Sequence, residues 1–305
     1  MRWMRTSLAV LGLACAVVQA AEPRREILFP DVPGYTTLKC DLHIHTVFSD
    51  GAVWPTIRVD EAWREGLDAI AITDHIQYRP FKDNVKSDHN RAFELAEPLA
   101  RQHNILLVRG TELTYGTPPG HFNAIFLKDA TALDTEDFYE AFDRAAEQGA
   151  FIFWDHPSWQ GEELGQWGPE QAKLLEKKQL HGIEVANPKR HDIYGHGMAI
   201  EKNLVMVGNS DIHPPSREDN RTVEEHRPLT LAFAKAKTNE ALREVLFAGR
   251  TAVWRANRLI GREAQLRPMF EACVSIAPPH RRDKQKMLVE MTNRCEPAFP
   301  RCSCS

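Results

Sequence analysis

Two histidines, two residues apart, close the run Asp41-Leu42-His43-Ile44-His45-Thr46, and Phe48-Ser49-Asp50-Gly51 follows it. On a strand, that spacing puts both imidazoles on one face. Polar endings of the same kind recur: Ile72-Thr73-Asp74-His75, Gly110-Thr111-Glu112, Trp154-Asp155-His156-Pro157, Gly182-Ile183-Glu184-Val185 and Asn209-Ser210-Asp211-Ile212-His213. His121 departs from the pattern because it precedes its apolar run. It must reach the others from a loop, or its strand runs the other way. Imidazoles and carboxylates gathered in one place repel or are costly to desolvate. Divalent ions resolve this, since neutral His nitrogens and carboxylate oxygens are donors that Zn, Mn or Fe accept. No Cys-x-x-Cys pair occurs in this region, which excludes a zinc ribbon. The chemistry expected is that of a divalent-metal centre.

Such endings converge only if the segments before them share a direction. The candidate strands are Leu38–His45, Leu67–Thr73, Asn104–Gly110, Phe122–Leu127, Ala150–Asp155, Leu180–Val185 and Leu204–Asn209. They are short and nearly all apolar, as strands buried on both faces are. Amphipathic stretches Pro55–Glu65, Ser87–His103, Thr135–Gln148, Pro169–Lys178 and His191–Lys202 separate them, and Thr238–Phe247 follows the last. Asp134 to Asp137 read as a helix start and Gly149 as its stop. This alternation predicts a parallel α/β sheet close in size to a TIM-type barrel, whose active sites lie at the carboxyl ends of the strands. With 305 residues, 43% of them hydrophobic, the chain supports one large core and excludes a disordered or coiled-coil protein. A net charge of -4 argues against a nucleic-acid-coating surface.

Asp41–Gly51, Ile72–His75, Gly110–Glu112, His156 and Ser210–His213, in that order, resemble the motif series of the PHP (polymerase and histidinol phosphatase) superfamily. The wider stretch Leu28–Gly261 resembles secreted PHP phosphodiesterases, through Val53-Trp54-Pro55-Thr56-Ile57, Pro119-Gly120-His121-Phe122-Asn123 and Phe247-Ala248-Gly249-Arg250. The resemblance implies a distorted (β/α)7 TIM-like barrel over residues 28–261 and two or three divalent metal ions. It assigns His43, His45, Glu112 and Asp211 to a first metal. Glu112 would bridge to a second, held by His121 and His156, and Asp50, His75 and His213 would hold a third. The first motif often carries His where Asp50 stands, and an oxygen ligand there leans toward Mn or Fe(II). Three divalent ions against three carboxylates and one hydroxide leave roughly +2, which suits a phosphoryl group.

The implied activity is a phosphoesterase, more specifically a phosphodiesterase, acting on a small phosphate ester by in-line attack of hydroxide. A phosphomonoesterase or an amidohydrolase-type enzyme is the alternative on the same ligands. A non-catalytic metal-binding scaffold would have lost ligands, and all nine positions here carry residues able to coordinate. Asp74, Glu184 and His191 are candidates for the leaving-group acid or for orienting a ligand. Arg190, Arg217, Arg221 and Arg227 are candidates to grip phosphate. His191, His196 and His226 are further candidates to touch substrate, and Trp159 and Trp167 are candidate pocket walls in a loop, Ser158–Gly168, able to close over the site.

The chain opens with a leader pattern. Arg2 and Arg5 precede the apolar run Ser7–Val18, and Val18-Gln19-Ala20 offers a cleavage site, so residues 1–20 read as a secretory signal peptide and the mature protein as secreted or periplasmic. A lipoprotein anchor at Cys15 fits less well, because Leu is expected where Gly12 stands. No later stretch is apolar and long enough to cross a membrane. Cys40, Cys273, Cys295, Cys302 and Cys304 cannot all pair, but four of them cluster after residue 270. A local disulfide is one expectation there and an irregular tail with inert thiols the other. Residues 262–305 read as a short tail or the start of a small, shortened module.

Overall fold

The computed structural model of the chain describes residues 24–216, 225–279, 281–282 and 287–299. The leader, Cys15, Arg217, Arg221, Cys302 and Cys304 lie outside the described residues.

The alternating pattern folds as strands β1 (Thr36–Asp41), β2 (Ala69–Ile72), β3 (Leu106–Thr114), β4 (His121–Ile125), β5 (Phe151–Trp154), β6 (Gly182–Ala186) and β7 (Val205–Gly208). Helices α1 (Pro55–Glu65), α2 (Arg91–Gln102), α3 (Phe138–Glu147), α4 (Pro169–Glu176) and α5 (Ile193–Glu201) connect them. Helix starts follow local chemistry. Asp137 accepts a hydrogen bond from Glu140 N and Asp192 accepts one from Gly195 N, so α3 and α5 begin after those caps. This is later than Thr135 and His191, where periodicity alone begins them. Asn90 N donates to the Asp88 side chain at 3.0 Å, and that local turn delays α2 to Arg91.

Strands beyond the expected seven complete the sheet: β8 (Leu229–Ala234), β9 (Thr251–Arg255) and β10 (Arg258–Ile260), with α6 (Asn239–Phe247) between β8 and β9. The order is β10-β9-β8-β1-β2-β3-β4-β5-β6-β7. β1, β2 and β3 are parallel, as are β5, β6 and β7, whereas β4 is antiparallel to both its neighbours and β8 is antiparallel to β1.

The sheet curls until its two halves meet beside β1. At the rim, Ile44 bridges Ile212 in parallel and His45 N donates to Ile212 O at 3.1 Å. Lower down, β8 fills the gap. Thr230 Oγ1 both accepts from Gly208 N and donates to Gly208 O, each at 3.0 Å, and Thr251 Oγ1 donates to Met206 O at 2.8 Å. A Cβ at Gly208 would stand 2.2 Å from Val253 Cγ1, so only glycine fits this seam. Inserted β8 and reversed β4 are the distortion of the barrel. α6 packs Leu242, Val245 and Leu246 into the cluster shared by Leu38, Cys40, Ala71, Val108, Phe151 and Phe153, and so plugs the end opposite the rim.

Beyond Gly261 the described residues form further elements where the sequence reads as irregular. α7 (Glu263–Cys273) buries Met269 and Cys273, and Pro268 within it masks its helical pattern. Val274–Ile276 pairs antiparallel with Met291–Asn293, and Arg281–Arg282 with Met287–Leu288. Among the described residues no helix is long and apolar enough to cross a membrane.

Candidate metal centre

All nine residues singled out as ligands stand at one rim. β1 stops at Asp41, so strand alternation alone does not place His43 and His45. The backbone nonetheless stays extended between its neighbours: Thr73 N donates to Ile44 O at 2.9 Å and Ile44 N to Thr73 Oγ1 at 3.0 Å. His121 opens β4, and because β4 runs against its neighbours its first residue lies at the same rim as their ends. The loop from Thr46 to Gly51 turns back on itself, with Gly51 N bonded to Thr46 O at 2.9 Å, and a Cβ at Gly51 would meet His45 C at 2.6 Å. His156 and Asp211 adopt φ of 28° and 47°, strained left-handed conformations for residues with side chains.

The nine residues form three adjoining groups, and Glu184 makes a fourth with His43 and His156. In the first, His43 Nε2 stands 3.0 Å from His45 Nε2, 3.0 Å from Glu112 Oε2 and 3.3 Å from Asp211 Oδ1. His45 Nε2 is 3.1 Å from each of the same two oxygens. In the second, Glu112 Oε1 faces His121 Nδ1 at 2.6 Å and His156 Nε2 at 4.0 Å, and Asp211 Oδ2 lies 3.9 Å from His156 Nε2. In the third, Asp50 Oδ1 faces His213 Nε2 at 3.2 Å, His75 Nε2 at 3.4 Å and His45 Nδ1 at 3.8 Å. Glu112 belongs to two groups at once through its two oxygens.

A divalent ion fits these positions. Ligands about 2.0–2.1 Å from one ion stand roughly 3.0–3.4 Å from each other at tetrahedral or right angles. The first group has those separations. Protons satisfy it poorly, because one placed on either imidazole serves one contact and opposes another. His43 Nδ1, Asp50 Oδ1, Glu112 Oε1 and His121 Nδ1 are buried and complete no hydrogen bond, although Glu112 and His121 approach to 2.6 Å.

The electrostatics agree. Burial disfavours charge on His43, but Asp211, Asp155, Glu184 and Glu112 prevail and hold its pKa well above the usual imidazole value. Burial likewise opposes ionisation of Glu112, yet His75 and His43 hold its pKa well below the usual range. Asp50, through His213 and His75, and Asp211, through His43 and His45, are lowered against burial in the same way. His156 is pushed down to about 4 by burial and Glu184 up to about 7 by burial. Metal ions binding here take over the role of imidazole protons and release them.

Around the groups sit residues that hold them in place. His43 Nδ1 faces Glu184 Oε2 at 3.4 Å and Asp155 Oδ1 at 3.8 Å, and His156 N donates to Glu184 Oε2 at 3.1 Å. Glu184 therefore stands behind two candidate ligands. Asp74 does not reach the cavity as a proton donor to substrate. Its carboxylate accepts from Thr46 N at 2.7 Å and from Thr46 Oγ1 and Ser49 Oγ at 2.6 Å, which pins the loop carrying Asp50. Arg58 has no marking in the sequence beyond its place in the amphipathic stretch Pro55–Glu65. It is fully buried and donates to His45 O at 2.8 Å, Ile212 O at 3.1 Å, His213 O at 2.7 Å and Pro214 O at 2.9 Å, so one guanidinium joins both ligand-bearing loops.

Over the groups opens a cavity of about 780 Å³. Trp159, Tyr78, Tyr115, Gln77, Gln160 and Lys189 line it beside the histidines. Trp159 stands over His121 at 5.4 Å between ring centroids, whereas Trp167 faces the core, edge-on to Trp154 at 6.1 Å. Trp167 is thus no pocket wall. Arg227 is buried in ion pairs with Glu65 at 2.7 Å and Asp41 at 3.0 Å, so it does not grip substrate. His191 turns to His196, 3.0 Å away, and His226 stacks on Trp254 at 3.4 Å, both outside the cavity. Arg190 is exposed at the rim and donates to Ser158 O at 2.8 Å. Tyr78, Tyr115 and Lys189 sit in loops or at a strand end with no pattern in the sequence to mark them.

The model of the PHP domain matches residues 41–203. A crystal structure from Bacteroides vulgatus, described as a two-domain protein containing a predicted PHP-like metal-dependent phosphoesterase, is 47% identical, with a TM-score of 0.86 over 90% of this chain and 81% of that one. PsfC from Pseudomonas syringae shares the fold at 16% identity, with a TM-score of 0.51 over 78% of this chain and 96% of its own. The uncharacterised protein MJ1295 of Methanocaldococcus jannaschii is 27% identical over 58% of this chain and 83% of its own length. A matched stretch that carries seven of the nine candidate ligands, from His43 to His156, together with a fold shared over 90% of this chain with the Bacteroides protein, places the chain in the PHP domain family.

Proposed function

We propose that this protein is a metal-dependent phosphoesterase, and specifically a phosphodiesterase for small esters, working outside the cytoplasm. One observation carries the reading: Glu112 offers an oxygen to each of two donor groups whose buried atoms lack hydrogen bonds. The description of the Bacteroides protein as phosphoesterase-like supports the reaction class. The leader pattern of residues 1–20 supports the location.

His43, His45, Glu112 and Asp211 would hold one ion, Glu112, His121 and His156 a second, and Asp50, His75 and His213 a third. When bound, such ions supply Lewis acidity and a water that ionises near neutral pH. The chain's own residues do the rest. Glu184 and Asp155 orient His43, and Arg58 and Asp74 fix the loops bearing His45, Asp50 and His213. Lys189 is the one cation lining the cavity among the described residues and faces the charge of a bound phosphate. Trp159 and Tyr78 give an ester substituent an apolar wall and limit water near the reacting phosphorus.

The test is turnover by purified protein loaded with Mn, Zn or Fe(II). Bis(p-nitrophenyl) phosphate, p-nitrophenyl phosphate and a p-nitroanilide amide are offered in parallel. Diester turnover that chelator abolishes and that His43→Ala removes is the expected result. Monoester or amide turnover alone replaces the diester reading, and metal binding without turnover on any substrate defeats the enzyme reading.

A further inference from the structure

We propose that Cys273 and Cys295 are the site of a disulfide that locks the carboxyl-terminal hairpin onto the barrel wall. Nothing in the proposed hydrolysis uses either residue, and the proposal does not rest on it. Both side chains lie in one apolar cluster with Ile27, Phe29, Trp254 and Met269, at 0% and 7% exposure. Strand register brings them together. Val274 pairs with Asn293, and Arg294 N donates to Cys273 O at 2.8 Å, so Cys295 stands across from the end of α7. Each thiol's pKa is shifted chiefly by the other, Cys273 upward and Cys295 downward. Cys40 is the contrast: it is buried in β1, and among the described residues no second cysteine shares its cluster.

A thiol pair sealed in an apolar cluster has no polar task in its reduced form. Its partners beyond each other are modest: Met269 Sδ at 3.6 Å for Cys273 and Asn293 Oδ1 at 3.1 Å for Cys295. Bridging them adds a covalent tie to a segment held to the barrel by hydrogen bonds and an Arg25–Glu296 ion pair at 3.3 Å. Glu296 N donates to Leu28 O at 2.9 Å, and Ala298 N to Asn257 Oδ1 at 2.6 Å. The bridge would thus tie residues on both sides of the barrel sequence, near Leu28 and near Ala298, to one wall.

The oxidant is a small disulfide such as oxidised glutathione. Cys295, whose pKa the neighbouring Cys273 lowers, attacks as thiolate, forms a mixed disulfide and expels one glutathione thiolate. Cys273 then gives up its proton and attacks the Cys295 sulfur, which expels the second glutathione. Two thiols are oxidised to one disulfide, and one glutathione disulfide is reduced to two thiols. Because the folded chain buries both sulfurs, the exchange takes place as the hairpin docks, and the finished bridge is shielded from reductants.

The test uses the full wild-type chain, reduced and then equilibrated with mixed oxidised and reduced glutathione, trapped with an alkylating reagent and digested without reductant. The expected product is one peptide pair joining Cys273 to Cys295, lighter by about 2 Da than the two reduced peptides. Oxidation is expected to raise Tm by about 5–10 °C, a gain that Cys273→Ser and Cys295→Ser each remove. Full alkylation of both residues after oxidation overturns the proposal. So does a bridge from Cys295 to Cys302 or Cys304.

Discussion

Two buried charged networks meet at the loops after β1 and β7, and they are completed differently. In the first, Arg227 makes a two-pronged pair with Glu65 and a third bond to Asp41, whose other oxygen accepts from Ser210 N at 3.0 Å. Arg58 is paired with Glu61 at 2.8 Å, and Glu61 accepts from Ser216 N at 2.8 Å. These charges are neutralised by the chain itself. In the second, imidazoles and carboxylates press together with buried atoms that complete no hydrogen bond. Buried charge is tolerated when paired and costly when not. The closed network is scaffold and the open one is a ligand set, and a few ångströms separate them, since Arg58 donates to the backbone oxygens of His45 and His213.

The sharpest break of this contrast is Glu112→Gln. Losing charge at the residue common to two groups should lower kcat/KM for a phosphodiester by about 10³-fold with Tm of the metal-free protein little changed. Steady-state kinetics beside thermal melts check it. Arg227→Met does the opposite. It strands Glu65 and Asp41 and should cost about 3–5 kcal/mol in urea unfolding, by the same amount with and without chelator. A loss that vanished in chelator would show that the two networks are not separate. Glu184→Gln weakens support for His43 and should reduce metal affinity about 10–100-fold, read by competition with a chromogenic chelator.

The smallest effect lies far from both networks. Burial between Phe151 and Phe247 pushes the His181 pKa down to about 4, and its Nδ1 accepts from Ile152 N at 3.0 Å. With a folded pKa below the unfolded value of about 6.5, the unfolded chain binds the proton more tightly. Stability is full above about pH 6.5 and falls toward pH 4, by about 2 kcal/mol at pH 5. His181→Gln should remove that share of the acid slope, measured as the difference between urea midpoints at pH 7 and pH 5.

Much of the site could be read in advance, because its residues are chemically rare endings on apolar runs. His43, His45, Glu112, Asp211 and His213 stand out by type wherever their strands end. Even His121 was informative: its place before an apolar run left reversal of β4 as one of two possibilities, and the sheet adopts it. What the sequence hid follows from the same logic. Arg58, Glu61 and Glu65 have the composition of a solvated helix face, and only the fold turns that face inward. Arg227 offers a guanidinium that suits phosphate until Glu65 and Asp41 are seen to occupy it. β8 passes unnoticed because it follows a long polar segment, and β9 because it comes directly after the glycine-containing turn that ends α6. α7 is concealed by Pro268.

The central claim is that the open network exists to hold divalent cations, and metal content tests it most directly. Wild-type protein purified anaerobically, loaded with Mn, Fe(II) or Zn and freed of excess should carry roughly two to three equivalents per chain by plasma mass spectrometry, and Glu112→Gln at least one fewer. Less than a tenth of an equivalent of any transition metal in well-folded wild-type protein would contradict the account, and the proposed hydrolysis would go with it.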